Sequence, residues 1–99
     1  MVTKGLLVRL QAKAGKEQAL KQLLESAQAL VEQEPDTTAW FAVQFSASEF
    51  GIFDVFPNEA GRTAHLNGKV AEALQQQGPD LLAANPSIEH VDVIASTLS

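Results

Sequence analysis

A chain of 99 residues has room for one domain with a modest core, because a chain of that size buries only about 60 to 65% of the surface its unfolded form exposes. Apolar residues at 45% and charged residues at 19% are ordinary for a globular fold and exclude the disordered and fibrous classes. Seven Lys and Arg against twelve Asp and Glu leave a formal charge of −5, which opposes phosphate backbones and anionic membranes, so neither nucleic acid nor a membrane is an expected partner.

The first predicted element is a strand over Leu6 to Ala12, with Leu6, Val8, Leu10 and Ala12 on one face and Leu7, Arg9 and Gln11 on the other. Gly15 marks the turn that follows. From Lys16 to about Gln33, the apolar residues Leu20, Leu23, Leu24, Ala27, Leu30 and Val31 fall within an arc of roughly 120° at helical spacing. That helix is expected to stop near Glu34, because Pro35 disfavours helical geometry in the residue before it. Thr38 to Phe45, rich in aromatic and β-branched residues, reads as a second strand, and Ser46 to Glu49 as a hairpin loop. Phe50 to Phe56, FGIFDVF, is the return strand.

Pro57 closes that strand and Asn58 is placed to cap a helix from Glu59 to about Gln77. Gly61 and Asn67-Gly68 weaken this segment, so two short helices with a bend are expected. Gly78-Pro79 reads as a turn, followed by a helical turn at Leu81 and Leu82 and a last strand over Ser87 to Ala95. No apolar run approaches the roughly 18 residues needed to span a bilayer, and Cys is absent, which excludes disulfides, thiolate chemistry and cysteine-ligated metals. A cytoplasmic protein without a targeting segment is expected.

The order β-α-β-β-α-β over residues 1–99 is the α+β, ferredoxin-like arrangement, a four-stranded antiparallel sheet with helices on one face. The second and third strands carry apolar residues on both faces, so the bare face needs a cover, and an identical chain on a two-fold axis is the simplest one. At roughly 25 cal/mol per Å² of apolar surface, that cover is worth several kcal/mol. An obligate homodimer packed sheet to sheet is therefore predicted.

The opening strand with AKAGKEQALKQLL, the Phe-rich hairpin, FDVFPNEAGRTAHL and the closing DLLAANPSIEHVDVIAS together resemble the antibiotic biosynthesis monooxygenase domain, of the dimeric α+β barrel superfamily. The likeness is sharpest in an acid and an aromatic two apart at the end of strand three, Asp54 and Phe56, followed by a helix with Ala and His65-Leu66. The resemblance implies a cofactor-independent monooxygenase acting on a small aromatic or quinol-type molecule in a pocket between sheet and helices. The alternative is a homodimer of the same fold that binds a small hydrophobic molecule without turning it over. The chain departs from the family pattern in having Phe and Asp where Trp and Glu are common, no second helix-borne His after Leu66, and no Tyr. A haem-degrading role is disfavoured on the missing second His.

Such chemistry needs an apolar pocket, a base, and donors to hold an oxyanion, with no cofactor. His65 is the natural base, its unperturbed pKa being about 6.5, and Asp54 is the group that would orient its ring. Trp40, Phe41, Phe53 and Phe56 are the expected pocket wall, with Arg62 and Asn67, and after them Arg9 and Gln44, as donors. The competing structural readings are a helix-edge hydrogen bond for His65, an interface or capping tie for Asp54, and core or interface packing for the aromatics. His90 is expected at the surface. Two histidines and scattered acids make no metal motif.

Overall fold

A computed structural model describes residues 1–98. The chain runs β1 (Lys4–Gln11), α1 (Glu17–Val31), β2 (Ala39–Gln44), β3 (Glu49–Phe56), α2 (Glu59–Leu66), α3 (Lys69–Leu81) and β4 (Ser87–Asp92). The four strands form one antiparallel-paired sheet in the order β2-β3-β1-β4. This is the expected α+β, ferredoxin-like arrangement, with the second helix divided in two.

Strand register sorts the side chains into two layers. Leu6 faces Asp54, Val8 faces Ile52 and Leu10 faces Phe50 across the β1–β3 pair, so these six share the face that the helices cover. Leu20, Leu24, Ala27 and Val31 of α1 recur at helical spacing and are all buried against that layer. Leu10, Leu20, Leu24, Phe50 and Ile52 make the larger core cluster, and Ala27, Val31 and Val70 a smaller one beside α3. On the opposite face, Phe41, Val43, Phe45 and Phe53 stay between 37% and 55% exposed.

Two glycines explain local geometry. Gly15 holds φ at 84°, the left-handed conformation that lets the chain turn from β1 into α1. Gly51 leaves room for the ring of Phe45: a Cβ there would stand 2.7 Å from Phe45 Cε2. That ring also lies under the Arg9 guanidinium, 4.9 Å from its centre, a cation–π contact on the outer face.

The expected bend between the two short helices falls at Asn67-Gly68, whereas Gly61 sits inside α2 without breaking it. Asn58 caps α2, its side chain accepting from the Gly61 amide at 3.0 Å. Gly78-Pro79 does not form the expected turn. Pro79 is accommodated in the last turn of α3, where the Leu82 amide donates to Gly78 O at 2.7 Å and buried Leu81 and Leu82 anchor the end. The last strand is three residues shorter than expected, ending at Asp92 instead of Ala95. Its ladder with β1 ends at the Lys4–Asp92 pair, and just past it the Val93 amide donates to Thr3 O at 2.9 Å.

Candidate functional site

Asp54 is the one charged side chain on the covered face of β3, and it is 1% exposed. Strand alternation puts it there: Phe50, Ile52 and Phe56 share its face. Directly after Phe56, Pro57 and the capping Asn58 turn the chain back over the sheet as α2, which lowers His65 onto Asp54. His65 Nε2 stands 2.9 Å from Asp54 Oδ2. Among the described residues neither Asp54 oxygen has a partner of good hydrogen-bond geometry, so the approach to Oδ2 is a charge contact and Oδ1 is left without a hydrogen bond.

The other ring nitrogen is held more tightly. His65 Nδ1 lies 2.6 Å from Glu34 Oε1, and the same oxygen accepts from Thr37 Oγ at 2.8 Å. Glu34 lies in the turn after α1, its amide bonded to Val31 O. The Phe56 ring is tilted against the imidazole with centroids 5.4 Å apart. His65 itself is 7% exposed. Burial alone would lower the imidazole pKa, but the contacts with Asp54 and Glu34 outweigh it and raise the pKa above 6.5. The result is a carboxylate–imidazole–carboxylate chain linking the turn after α1, helix α2 and strand β3.

Beside this chain lies a cavity of about 620 Å³ between the sheet, α2–α3 and the loop into β4. Its wall is largely aliphatic, with Leu6, Val8, Ile52, Val70, Leu74 and Leu82 among the lining residues. Asp54 and His65 also line it, and Lys13, Gln75 and Asn85 are its other polar contributors. A mostly apolar hollow of this size with few polar groups is the usual form of a small-molecule site. Among the described residues no cluster of three or more His, Cys, Asp or Glu is placed to hold a metal ion, and no helix is long and apolar enough to cross a membrane.

Among solved structures, the chain is similar to the NE2512 protein of Nitrosomonas europaea, described as of unknown function, at 49% identity and a TM-score of 0.98, covering 100% of this chain and 96% of that one. The chain belongs to the same family as NE2512. Its fold is that of the antibiotic biosynthesis monooxygenase-like proteins. A "putative antibiotic biosynthesis monooxygenase" from Nitrosomonas europaea superimposes with a TM-score of 0.84 at 14% identity, over 93% of this chain and 99% of that one. One of the same description from Caulobacter crescentus gives 0.80 at 17%, over 95% and 92%. No family model matches the sequence, nor does any curated protein.

Within this family fold, the residues expected at the site separate into groups. Asp54 and His65 meet and line the cavity. Trp40, Phe41, Phe53, Phe56, Arg62 and Asn67 do not line it. Phe53 and Phe41 point from the outer face of the sheet because they stand at odd positions of their strands. Trp40 and Phe41 instead border a separate groove of about 400 Å³ between α1 and edge strand β2, together with Gln44. The Trp40 Nε1 is buried there without a partner.

Phe56 is fully buried behind His65. Arg62 is a structural tie: Nη1 donates to Gly5 O and Val91 O, both at 3.1 Å, and Nη2 pairs with Glu59. Asn67 closes the end of α2 with its amide on Thr63 O, and Arg9 lies on Phe45. His90 is exposed on β4. The site residue that sequence reasoning missed is Glu34, which reaches His65 across 31 positions and has no local pattern to announce it.

Proposed function

We propose that the protein is a cofactor-independent monooxygenase for a small aromatic or quinol-type molecule held in the cavity between sheet and helices. The observation that carries this reading is the pairing of a mostly aliphatic 620 Å³ cavity with a single buried acid–imidazole pole, Asp54 and His65, at its wall. A quinol would place its ring among Leu6, Ile52, Val70 and Leu74 and direct a hydroxyl at that pole. Loss of the hydroxyl proton makes the ring electron-rich enough to reduce dioxygen itself. One oxygen atom then bonds to ring carbon as a hydroperoxide, which loses water, so that quinol and O₂ give hydroxyquinone and H₂O. An apolar cavity favours this by excluding water from the anion and its oxygen adduct. The names given to two neighbours of the same fold agree with the reading.

Oxygen consumption with a reduced naphthoquinone such as menadiol tests it. The protein is expected to accelerate uptake over buffer, and Asp54→Asn to reduce the acceleration by about 10²- to 10⁴-fold, the usual worth of a positioned proton acceptor. Tight binding of the quinol with no acceleration would assign the cavity a binding role and overturn the oxygenase reading.

The outer sheet face supports a second part of the proposal, a homodimer packed sheet to sheet. Phe41, Val43, Phe45 and Phe53 there form an apolar surface that soluble monomers seldom present. Sedimentation at micromolar concentration is expected to give a dimer, and Phe53→Lys a monomer. A stable folded wild-type monomer would contradict it.

A further inference from the structure

We propose that Glu34 is a positioning residue of this site, keeping a proton on each nitrogen of His65 so that Asp54, and not the imidazole, receives the hydrogen-bond donor of the ligand. The inference deepens the reading above and rests on it where the ligand is concerned. It assigns a substrate class: an apolar ring carrying an acidic hydroxyl, a phenol or enol, presented as a donor.

An ionised carboxylate only accepts, so a ring nitrogen facing one carries hydrogen. His65 faces two: Nδ1 meets Glu34 at 2.6 Å and Nε2 meets Asp54 at 2.9 Å. With both nitrogens so engaged, the ring has no lone pair to offer a ligand. Glu34 in turn is steadied by the hydroxyl of Thr37 on the same oxygen that faces the ring.

The remaining acceptor is Asp54 Oδ1, buried and without a partner, on a residue that lines the cavity. A buried polar atom left unsatisfied destabilises the fold, and a ligand hydroxyl would satisfy it. On deprotonation the proton moves from the ligand oxygen to Asp54, and the ligand anion is left beside the His65 imidazolium. His65 thus supplies charge, and Asp54 takes the proton.

The charged groups facing the ring are Glu34 from the turn after α1 and Asp54 from β3. Arg62, one turn earlier on α2, is committed to the backbone of β1 and β4. Burial alone would lower the imidazole pKa, but contacts with the two acids raise it above its ordinary value.

Nitrogen NMR of the full chain labelled at histidine tests the positioning role without any turnover. In the wild type both His65 nitrogens are expected to carry hydrogen at pH 7. Glu34→Gln is expected to lower the pKa and leave the ring neutral at that pH. Thr37→Val, which keeps the carboxylate but loosens it, is expected to fall between, and it serves should Glu34→Gln not fold. A wild-type nitrogen bearing a lone pair at pH 7, or a titration indifferent to both substitutions, would overturn the proposal.

The substrate class is tested with 1-naphthol against 1-methoxynaphthalene, which lacks the donor. Naphthol is expected to bind at least about tenfold tighter, one good hydrogen bond's worth, with the preference lost in Asp54→Leu. Equal binding of the two, or binding of neither, would refute the ligand assignment. A failure of oxygen uptake alone would sink the oxygenase reading while leaving the NMR result and the naphthol preference in place.

Discussion

Replacing His65 with leucine is expected to destabilise the protein by about 3–5 kcal/mol, the usual result of removing one partner from a buried ionic cluster. Leucine would fit the space but would strand Asp54, at 1% exposure, with no counter-charge, and Glu34 with only Thr37. The loss should show as a lower urea midpoint with an unchanged slope. Adding Asp54→Leu to the same chain is expected to recover much of it, since two apolar side chains would then replace the buried pair. A double-mutant cycle on these two substitutions isolates their coupling.

The same cluster sets a pH dependence whose sign follows from the raised His65 pKa. Proton binding to the folded state exceeds binding to the unfolded one, so this contribution is fully present below about pH 6.5, the unfolded value. It is lost as pH rises through the higher folded value. The stability gap between wild type and His65→Leu should therefore be widest on the acid side of that window and narrow above it. A gap that widens toward alkaline pH would mean that the ring is held neutral.

Phe56→Ala is the second substitution with a large expected effect, about 3–5 kcal/mol for deleting a buried aromatic ring. Phe56 has no exposed surface, ends β3 opposite Lys4, and backs the imidazole of His65 at 5.4 Å. A cavity there would loosen the helix–sheet junction that sets His65 against Asp54, so its stability loss should come with a lower His65 pKa. Phe56→Leu keeps most of the volume and is expected to lose less than half as much. An alanine variant as stable as wild type would show that the junction does not depend on that ring.

How much of this was legible in the sequence depends on the range of the forces involved. The strand alternation of Leu6, Val8 and Leu10 and the helical spacing of Leu20, Leu24, Ala27 and Val31 are local patterns, and the structure buries these residues as their periods predict. The meeting of Asp54 and His65 was legible because one strand end, one proline and one cap separate them, leaving the chain little choice of path. Glu34 was not legible, because its contact with His65 is made only after α1 has docked on the sheet. Nor was the cavity wall: large aromatics suggested a pocket, but strand parity turns Phe41 and Phe53 to the outer face and leaves aliphatic residues to line the hollow. Gly78-Pro79 misled for a similar reason, since a helix tolerates proline in its last turn when two buried leucines hold its end.

A structure of the protein with an aromatic hydroxyl compound bound under anaerobic conditions, menadiol being the natural choice, tests the central claim most directly. The ring is expected between Leu6, Ile52, Val70 and Leu74, with a hydroxyl oxygen within hydrogen-bond distance of Asp54. The molecule lodged in the groove beside Trp40, or on the outer face of the sheet with the cavity vacant, would contradict it.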